Sequence, residues 1–138
     1  MVLFDSPFIR SEAVQYSIEL AKRMDAALVM VVLLPFEMSE KPPDEIKAIL
    51  QIGNRAKEAL AQHINLIENA GIPAEAAVRI GNPRSELVKF MAESERFQTI
   101  VWGGKSDPIE KKNHWMVNLK DVVKCTVLIP FVKAKAKV

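Results

Sequence analysis

The chain has 138 residues, of which 49% are hydrophobic and 26% are charged. That length is enough for one domain with its own buried core, and the composition is typical of a soluble globular protein. The formal net charge of +2 is too small to indicate, by itself, a nucleic acid or an anionic membrane as a partner.

We expect neither a membrane-spanning segment nor an export signal in this sequence. The longest apolar run, residues 26–36, is shorter than the roughly 20 residues of a membrane-spanning helix, so it predicts a buried strand. The first residues carry neither a basic region nor a long apolar stretch, which indicates no signal peptide. Cys125 is the single cysteine, so no internal disulfide can form. We therefore expect a cytoplasmic protein.

Strand and helix patterns alternate along the whole chain. Short apolar runs predict strands at residues 2–4, 27–34, 74–80, 98–102 and 125–132. Helical spacing predicts helices at residues 11–24 and 44–70, from residue 83 onward, and at 115–124. We predict a single-domain, Rossmann-like α/β fold over residues 1–132: an open five-stranded parallel sheet with helices on both faces. Residues 133–138 are expected to be a basic, solvated tail.

Several residues are of the types that begin or end helices. Ser11 can cap the first helix, and Asn82 followed by Pro83 is typical of the start of the third. Gly71 stands where a left-handed C-terminal cap is expected after the long second helix. The residues of the third helix that we expect to face inward are Leu87, Val88, Met91 and Ala92.

The fourth strand runs directly into a turn with the sequence Gly103-Gly104-Lys105-Ser106. In an open α/β sheet, ligands bind at the carboxyl ends of the strands, so this turn is the first candidate for a site. Gly103 ends a buried strand where the chain must turn sharply. We expect glycine to be needed there for backbone geometry even without a ligand, since a Cβ is costly if φ is positive.

Four segments, in order, resemble the universal stress protein family over nearly the whole chain. The first strand ends in Asp5, as that family's opening strand leads to Asp-Gly-Ser. Residues 80–83, Ile-Gly-Asn-Pro, resemble its Gly-x-Pro turn into the third helix. Residues 101–103, Val-Trp-Gly, resemble its Val-Met-Gly, and residues 125–129, Cys-Thr-Val-Leu-Ile, resemble its closing Cys-Pro-Val-Leu-Val strand.

The resemblance breaks at the nucleotide motif. Many members of that family bind ATP through Gly-x-x-Gly-x9-Gly-(Ser/Thr), in which glycines let backbone N–H groups approach phosphates and the hydroxyl adds a hydrogen bond. Here Gly103 matches the first glycine and Ser106 replaces the second. Counting back from the closing strand places Asn113 and His114 where the last pair would stand, so the loop is also a few residues short. After Asp5, Ser and Pro replace the family's Gly and Ser.

The residues left at these positions form a candidate degenerate nucleotide or anion site. They are Asp5, Gly103, Gly104, Lys105, Ser106, Asn113 and His114. Because most of the small, phosphate-cradling residues are replaced, we expect no cofactor. The alternative is ATP or AMP bound through an altered loop.

The sequence does not match two other phosphate-related patterns, the P-loop and the phosphoacceptor receiver domain. Gly104-Lys105-Ser106 resembles the end of a P-loop, but that motif needs a glycine where Thr99 stands inside the fourth strand. A phosphoacceptor receiver domain needs an acidic pair after the first strand and an aspartate at the end of the third. Asp5 is single, and the third strand ends Arg-Ile-Gly.

The loop after the fourth strand is basic. Lys105, Lys111, Lys112 and His114 could hold a phosphate by side-chain charge. They could equally form a solvated loop whose charges are offset by nearby carboxylates, which is the usual arrangement on a protein surface.

Catalytic and metal-binding patterns are weak. No nucleophile, base and acid occur together, so we expect no enzyme, although the resemblance leaves slow ATP hydrolysis open. His63 on the long helix has no Cys, Asp or second His at metal-ligand spacing, so we expect no metal. Cys125 opens the last strand, where burial is common and reactivity is not.

Two classes of function remain. The first is a regulatory or scaffold protein of the universal stress type, which acts through dimerisation and contacts with an unknown protein partner, without a nucleotide. The second is a nucleotide-binding stress protein with an altered phosphate loop. The loop of residues 103–115 distinguishes them. Neither class calls for nucleic acid or a membrane as partner.

The last predicted strand, which begins at Cys125 and ends at Val132, indicates how the chain self-associates. The family resemblance implies antiparallel pairing of this strand across a two-fold axis. The strand is apolar and, as the last one, is expected at an exposed edge, which invites association. Pro130 and the lysine tail could instead protect the edge. We expect a homodimer because residues 127–129 leave enough ladder before the proline.

Overall fold

Five strands and three helices form the part of the chain that the structure describes. The computed structural model describes residues 1–37, 39–94, 97–104, 114–116 and 125–129. The strands are β1 (Val2–Phe4), β2 (Leu28–Pro35), β3 (Ala74–Gly81), β4 (Thr99–Trp102) and β5 (Thr126–Leu128). The helices are α1 (Ser11–Met24), α2 (Pro43–Asn69) and α3 (Pro83–Glu93). Among these helices, none has the combined length and apolar character that crossing a membrane requires.

Two predicted elements fall partly outside the described residues. Of the helix predicted over residues 115–124, the structure describes Trp115 and Met116, which lie in a turn. Of the strand predicted over residues 125–132, it describes residues 125–129, of which 126–128 form β5.

The sheet is parallel and its strands lie in the order β3-β2-β1-β4-β5. The predicted open five-stranded parallel sheet is confirmed. The chain first builds outward from β1 to β3 and then returns to place β4 on the other side of β1. In sheets of this kind the reversal point, here between β1 and β4, opens a crevice at the carboxyl ends of the strands.

Both faces of the sheet are covered because successive strand residues point to opposite sides. The first core joins alternate strand residues to α1 and α2; its strand members include Val2, Phe4, Met30, Val32, Leu34 and Val101. The second core joins the other residues to Leu87 and Phe90 of α3; its strand members include Leu3, Val31, Leu33, Ile100 and Trp102. The prediction of helices on both faces is therefore confirmed.

Two of the predicted helix ends are confirmed and one is wrong. Asn82 Oδ1 accepts a hydrogen bond from the Ser85 N–H at 3.0 Å, as an N-cap does. Gly71 follows α2 with a φ of 87°, which an L side chain rarely adopts. Ser11 is not the cap of α1, because it is the first residue of the helix: Arg10 is the N-cap and makes no side-chain capping bond.

The buried face of α3 differs from the predicted one. Leu87 and Phe90 are buried, whereas Val88 is 38% exposed and Ala92 is exposed. An α-helix turns by about 100° per residue, so a stripe centred on Leu87 includes the residues three and four positions on and leaves Val88 on the flank. The prediction was wrong for Val88 and Ala92 and missed Phe90.

Met1 lies just before β1, and its backbone is hydrogen-bonded to β4. The Met1 amino group donates a hydrogen bond to the Thr99 carbonyl at 2.9 Å, and the Met1 carbonyl accepts one from the Val101 N–H at 2.8 Å. Burial lowers the pKa of this amino group from 8.0 to about 6, and the charge of Cys125 opposes that shift. A charged amine is therefore poorly accommodated at the amino end of β1.

We predict that the stability of this 138-residue chain, with a free amino group, rises between pH 6 and pH 8. The amine titrates near 8.0 in the unfolded chain and at about 6 in the fold, so in this window the unfolded state binds more protons and acid favours unfolding. Urea midpoints at pH 6, 7 and 8 measure the slope.

Acetylation of the Met1 amino group is the matched control, since it removes this titration and leaves the two histidines in place. The acetylated chain should show a smaller dependence on pH. An equal slope in both forms would contradict the role of the amine.

Candidate functional site

The candidate site lies at the reversal point of the sheet, where β1 and β4 end side by side. Leu3 pairs with Trp102, and the ladder continues one step further, since the Gly103 N–H donates to the Leu3 carbonyl at 2.7 Å. Asp5, which follows β1, and Gly104, which follows β4, therefore leave the sheet as neighbours. This is where the sequence predicted a site.

Gly103 is needed for a reason other than the predicted one. Among the described glycines, those with positive φ are Gly71 and Gly81, so a positive φ is not the reason that glycine is needed at residue 103. A Cβ at Gly103 would instead lie 2.5 Å from Cε1 and 2.7 Å from Cδ1 of the Phe4 ring. Phe4 is completely buried, so its ring cannot move aside without disturbing the first core.

Gly104 is confined from the other side. A Cβ there would collide with the indole of Trp102 and would lie 2.7 Å from Oδ1 of Asp5. Trp102 is completely buried in the second core. At both glycines, therefore, the space that a missing Cβ leaves is filled by side chains of this same chain.

Three aromatic rings pack together beside the glycine pair. Trp102 meets His114 edge-on at 5.1 Å between ring centroids and Trp115 edge-on at 5.8 Å. His114 stacks on Trp115 at 5.5 Å with an interplanar angle of 26°. These separations are favourable for aromatic pairs. The cluster holds residues 114–115 against the end of β4.

His114 stands where the nucleotide motif of the resembled family has a hydroxyl residue, but it is used differently. Its Nδ1 accepts a hydrogen bond from the Met116 N–H at 3.1 Å, which requires the tautomer that carries its proton on Nε2. Met116 is buried in the second core. The imidazole therefore shapes the turn through residues 114–116 and packs against two indoles.

Arg10 is a site residue that sequence reasoning missed. Its guanidinium Nη1 donates to the Gly104 carbonyl at 3.3 Å and so joins the start of α1 to the loop after β4. Its position just before a helix at the carboxyl edge was the available signal, because helix starts line that edge in parallel α/β sheets. Trp102 was treated only as a strand residue, and its contact with the glycine turn could not be read from the sequence.

The structure brings together four of the seven predicted site residues: Asp5, Gly103, Gly104 and His114. The other three, Lys105, Ser106 and Asn113, lie outside the described residues. Within the described ranges, no group of three or more His, Cys, Asp or Glu side chains could hold a metal ion.

An open groove of about 840 Å³ lies at the opposite ends of the strands from the candidate site. It is lined by residues at the amino ends of the strands, among them Met1, Leu28, Ala74 and Thr99. None of the four predicted site residues that the structure describes lines it. Cys125 lies toward the same ends of the strands, where its Sγ donates to the Phe97 carbonyl at 3.1 Å.

We predict that Gly103→Ala destabilises the fold by roughly 1–3 kcal/mol, the usual cost of forcing extra volume into a packed core. The cause is the Phe4 ring, 2.5 Å from the new Cβ, so the cost should fall markedly when Phe4→Leu is introduced as well. Urea midpoints of the two single variants and the double variant give this coupling. A cost that is the same in both backgrounds would mean that the backbone, and not the ring, restricts Gly103.

No protein-family model matches this chain, and no curated protein matches it in sequence. Solved structures do match it. A protein of the universal stress protein family from Burkholderia pseudomallei is 18% identical, with 94% of this chain and 95% of that chain covered and a TM-score of 0.63. A universal stress protein family protein from Arabidopsis thaliana, solved with AMP bound, is 15% identical, with 93% and 89% covered and a TM-score of 0.54.

These likenesses extend over nearly the whole chain while the sequence identity stays low. They agree with the five-stranded parallel α/β sheet described above. The resemblance indicated by the sequence is thus confirmed at the level of the fold: this chain has the fold of the universal stress proteins.

Proposed function

We propose that this chain is a regulatory or scaffold domain of the universal stress type that acts through self-association and protein contacts, without ATP. The observation that carries the proposal is the filled space around the glycine pair. Phe4 lies against Gly103, and Trp102 and Asp5 lie against Gly104. A phosphate-binding glycine needs open space beside its backbone for the ligand, and at both glycines here side chains crowd the position of the missing Cβ.

The charge beside Gly104 also opposes a phosphate. A carboxylate oxygen of Asp5 lies 2.7 Å from the position of a Cβ at Gly104, so a phosphate bound at this glycine would lie near a negative charge that repels it. The guanidinium of Arg10 is engaged here with the backbone, since its Nη1 donates to the Gly104 carbonyl at 3.3 Å. The described part of the site is therefore held together by contacts within the chain.

Self-association is proposed through the predicted strand of residues 125–132. Its described part, β5, pairs with β4 on one side only among the described residues. Thr126 is exposed, and Val127, Leu128 and Ile129 are half-buried. The Thr126 N–H bonds inward to the Gln98 carbonyl, so by alternation the N–H groups of residues 127 and 129 face away from the sheet.

The second candidate function is binding of AMP or ATP by the altered loop. It is favoured by the fold neighbour from Arabidopsis thaliana, which was solved with AMP bound, and by the position of Asp5 and Gly104 at the reversal point. AMP carries one phosphate group, so it needs fewer phosphate contacts from a glycine loop than ATP does. We propose no catalytic step for either candidate, and the cytoplasmic location stays a prediction from the lone cysteine.

We predict that millimolar Mg-ATP leaves the melting temperature unchanged. A ligand at 100 times its dissociation constant would stabilise the fold by about 2.7 kcal/mol, which corresponds to several degrees in a domain of this size. Thermal shift with ATP, ADP, AMP and cyclic nucleotides makes the measurement, and the fluorescence of the two tryptophans reports on the site independently.

A shift of several degrees with AMP alone would favour the second candidate in its AMP form. A similar shift with ATP would overturn the proposal that the chain works without a nucleotide. Phosphate at the same concentration is the control for a general anion effect.

We predict that the chain self-associates at micromolar concentration and that Ile129→Lys weakens this association, because it puts a charge just after β5, where Ile129 is half-buried against the second core. An unchanged circular dichroism spectrum shows that the variant keeps the fold. Leu66→Lys is the matched control: Leu66 is 64% exposed on α2, so the same kind of change is made away from both sheet edges. Light scattering after size exclusion measures the mass. A wild-type mass of one chain, 15.5 kDa, would contradict the proposal.

A further inference from the structure

The other edge of the sheet is formed by β3, which is longer than β5. Its eight residues pair with β2 without interruption, from Leu28 opposite Ala74 to Pro35 opposite Gly81. No further strand lies beyond β3 among the described residues. Glu75 and Ala76 are exposed, and the rest of the strand is half-buried. A long, regular edge of this kind is a template for another strand.

Two hydrogen bonds define which backbone groups of β3 face outward. The Leu28 N–H donates to the Pro73 carbonyl at 2.9 Å, and the Phe36 N–H donates to the Gly81 carbonyl at 3.1 Å. In a parallel ladder every second residue bonds to the neighbouring strand, so residues 73, 75, 77, 79 and 81 bond inward to β2. Residues 74, 76, 78 and 80 therefore present their N–H and C=O groups at the free edge.

The usual protections of an edge strand are weak here. The strand contains no proline, and its unbroken register with β2 leaves no place for a bulge. Its one cation, Arg79, lies over the Phe90 ring at 5.4 Å and forms an ion pair with Glu93 at 2.7 Å. That side chain is held against α3 instead of projecting past the edge. Glu75 is the other charged residue of β3.

We propose that a second copy of this chain pairs with the β3 edge, antiparallel across a two-fold axis through Ala77. In this register Ala74 lies opposite the partner's Ile80 and Ala76 opposite the partner's Val78. All four outward-facing residues of each copy then exchange backbone hydrogen bonds. A register shifted along the strand would leave outward-facing groups at the ends without a partner residue in β3.

Charge complementarity selects the same register. Glu75 lies opposite the partner's Arg79, and by symmetry Arg79 lies opposite the partner's Glu75. Opposite charges at directly facing positions stabilise antiparallel pairs, and like charges destabilise them. The bond to Glu93 uses Nη2 of Arg79, and a guanidinium has further N–H donors for a second carboxylate. The pairing does not depend on β5 and involves the opposite edge of the sheet.

Disulfide formation tests the register. At the two-fold axis Ala77 faces the partner's Ala77 as a non-hydrogen-bonded pair, with Cα atoms about 4.5 Å apart, which is within the range that a disulfide spans. Ala77→Cys, in a Cys125→Ser background, should form a covalent dimer under mild oxidation. Glu75→Cys in the same background is the control, since its two copies would lie about 14 Å apart.

Rapid cross-linking of Ala77→Cys but not of Glu75→Cys supports the proposed pairing. Equal cross-linking of both, or of neither, overturns it. Because Cys125 is replaced and both positions lie on β3, this result stands or falls separately from the association proposed for the fifth strand.

Two further variants test the hydrogen bonds and the charges. Ala76→Pro removes an N–H that faces outward, so each folded chain keeps its ladder to β2, yet association through β3 is lost. Glu75→Arg places like charges opposite each other and should raise the dissociation constant on the order of tenfold, whereas Glu58→Arg on the exposed side of α2 should not.

Light scattering and sedimentation of these variants are best carried out in the Ile129→Lys background, where the β3 edge is the remaining route. A dimer in that background that Ala76→Pro converts to monomer, with an unchanged circular dichroism spectrum, supports the proposal. A monomer before Ala76→Pro is introduced, or a dimer that survives it, overturns the proposal.

Discussion

The close approach of β1 and β4 is the constraint on which the rest of the structure depends. The two strands are central, and their backbones come together at Gly103 over the ring of Phe4, with Trp102 on the other face. Each ring belongs to a different core, so the glycine pair lies where both cores end. A side chain at either glycine would displace a ring that is completely buried. Packing, and not ligand binding, is enough to explain why these residues are glycines.

The same packing alters the chemistry of the reversal point. Parallel α/β sheets generally bind ligands in the crevice at this place, and the backbone here has the geometry for one. Trp102, His114 and Trp115 instead form an aromatic cluster beside the turn, and Arg10 ties the first loop to the Gly104 carbonyl. A fold shared with a protein solved with AMP bound therefore does not by itself imply the same ligand, because function depends on the residues of the site.

The sequence was sufficient for the fold because the fold depends on patterns. Continuous apolar runs, Asn82-Pro83 and the glycine at 71 each have a local physical meaning, and the structure confirms them. The sequence was insufficient where the role of a residue depends on contact with residues that are distant in the chain. The contact of Gly103 with Phe4 and the bond from Arg10 to Gly104 depend on three-dimensional neighbours. Gly103 illustrates the difference: the sequence indicates that glycine is needed there, but only the structure shows the Phe4 ring that makes it necessary.

An open sheet has two edge strands, and here the two differ in length. β5 is short within the described residues, whereas β3 offers eight residues in unbroken register. The charges of β3 repeat in a self-complementary order, since Glu75 and Arg79 lie at equal distances on either side of Ala77. A two-fold axis requires just such a palindrome of charge, because each residue must suit its counterpart in an identical chain. Side chains of the chain itself pack around the glycine pair, and the two edge strands remain as surfaces on which such a domain can make directional backbone contacts.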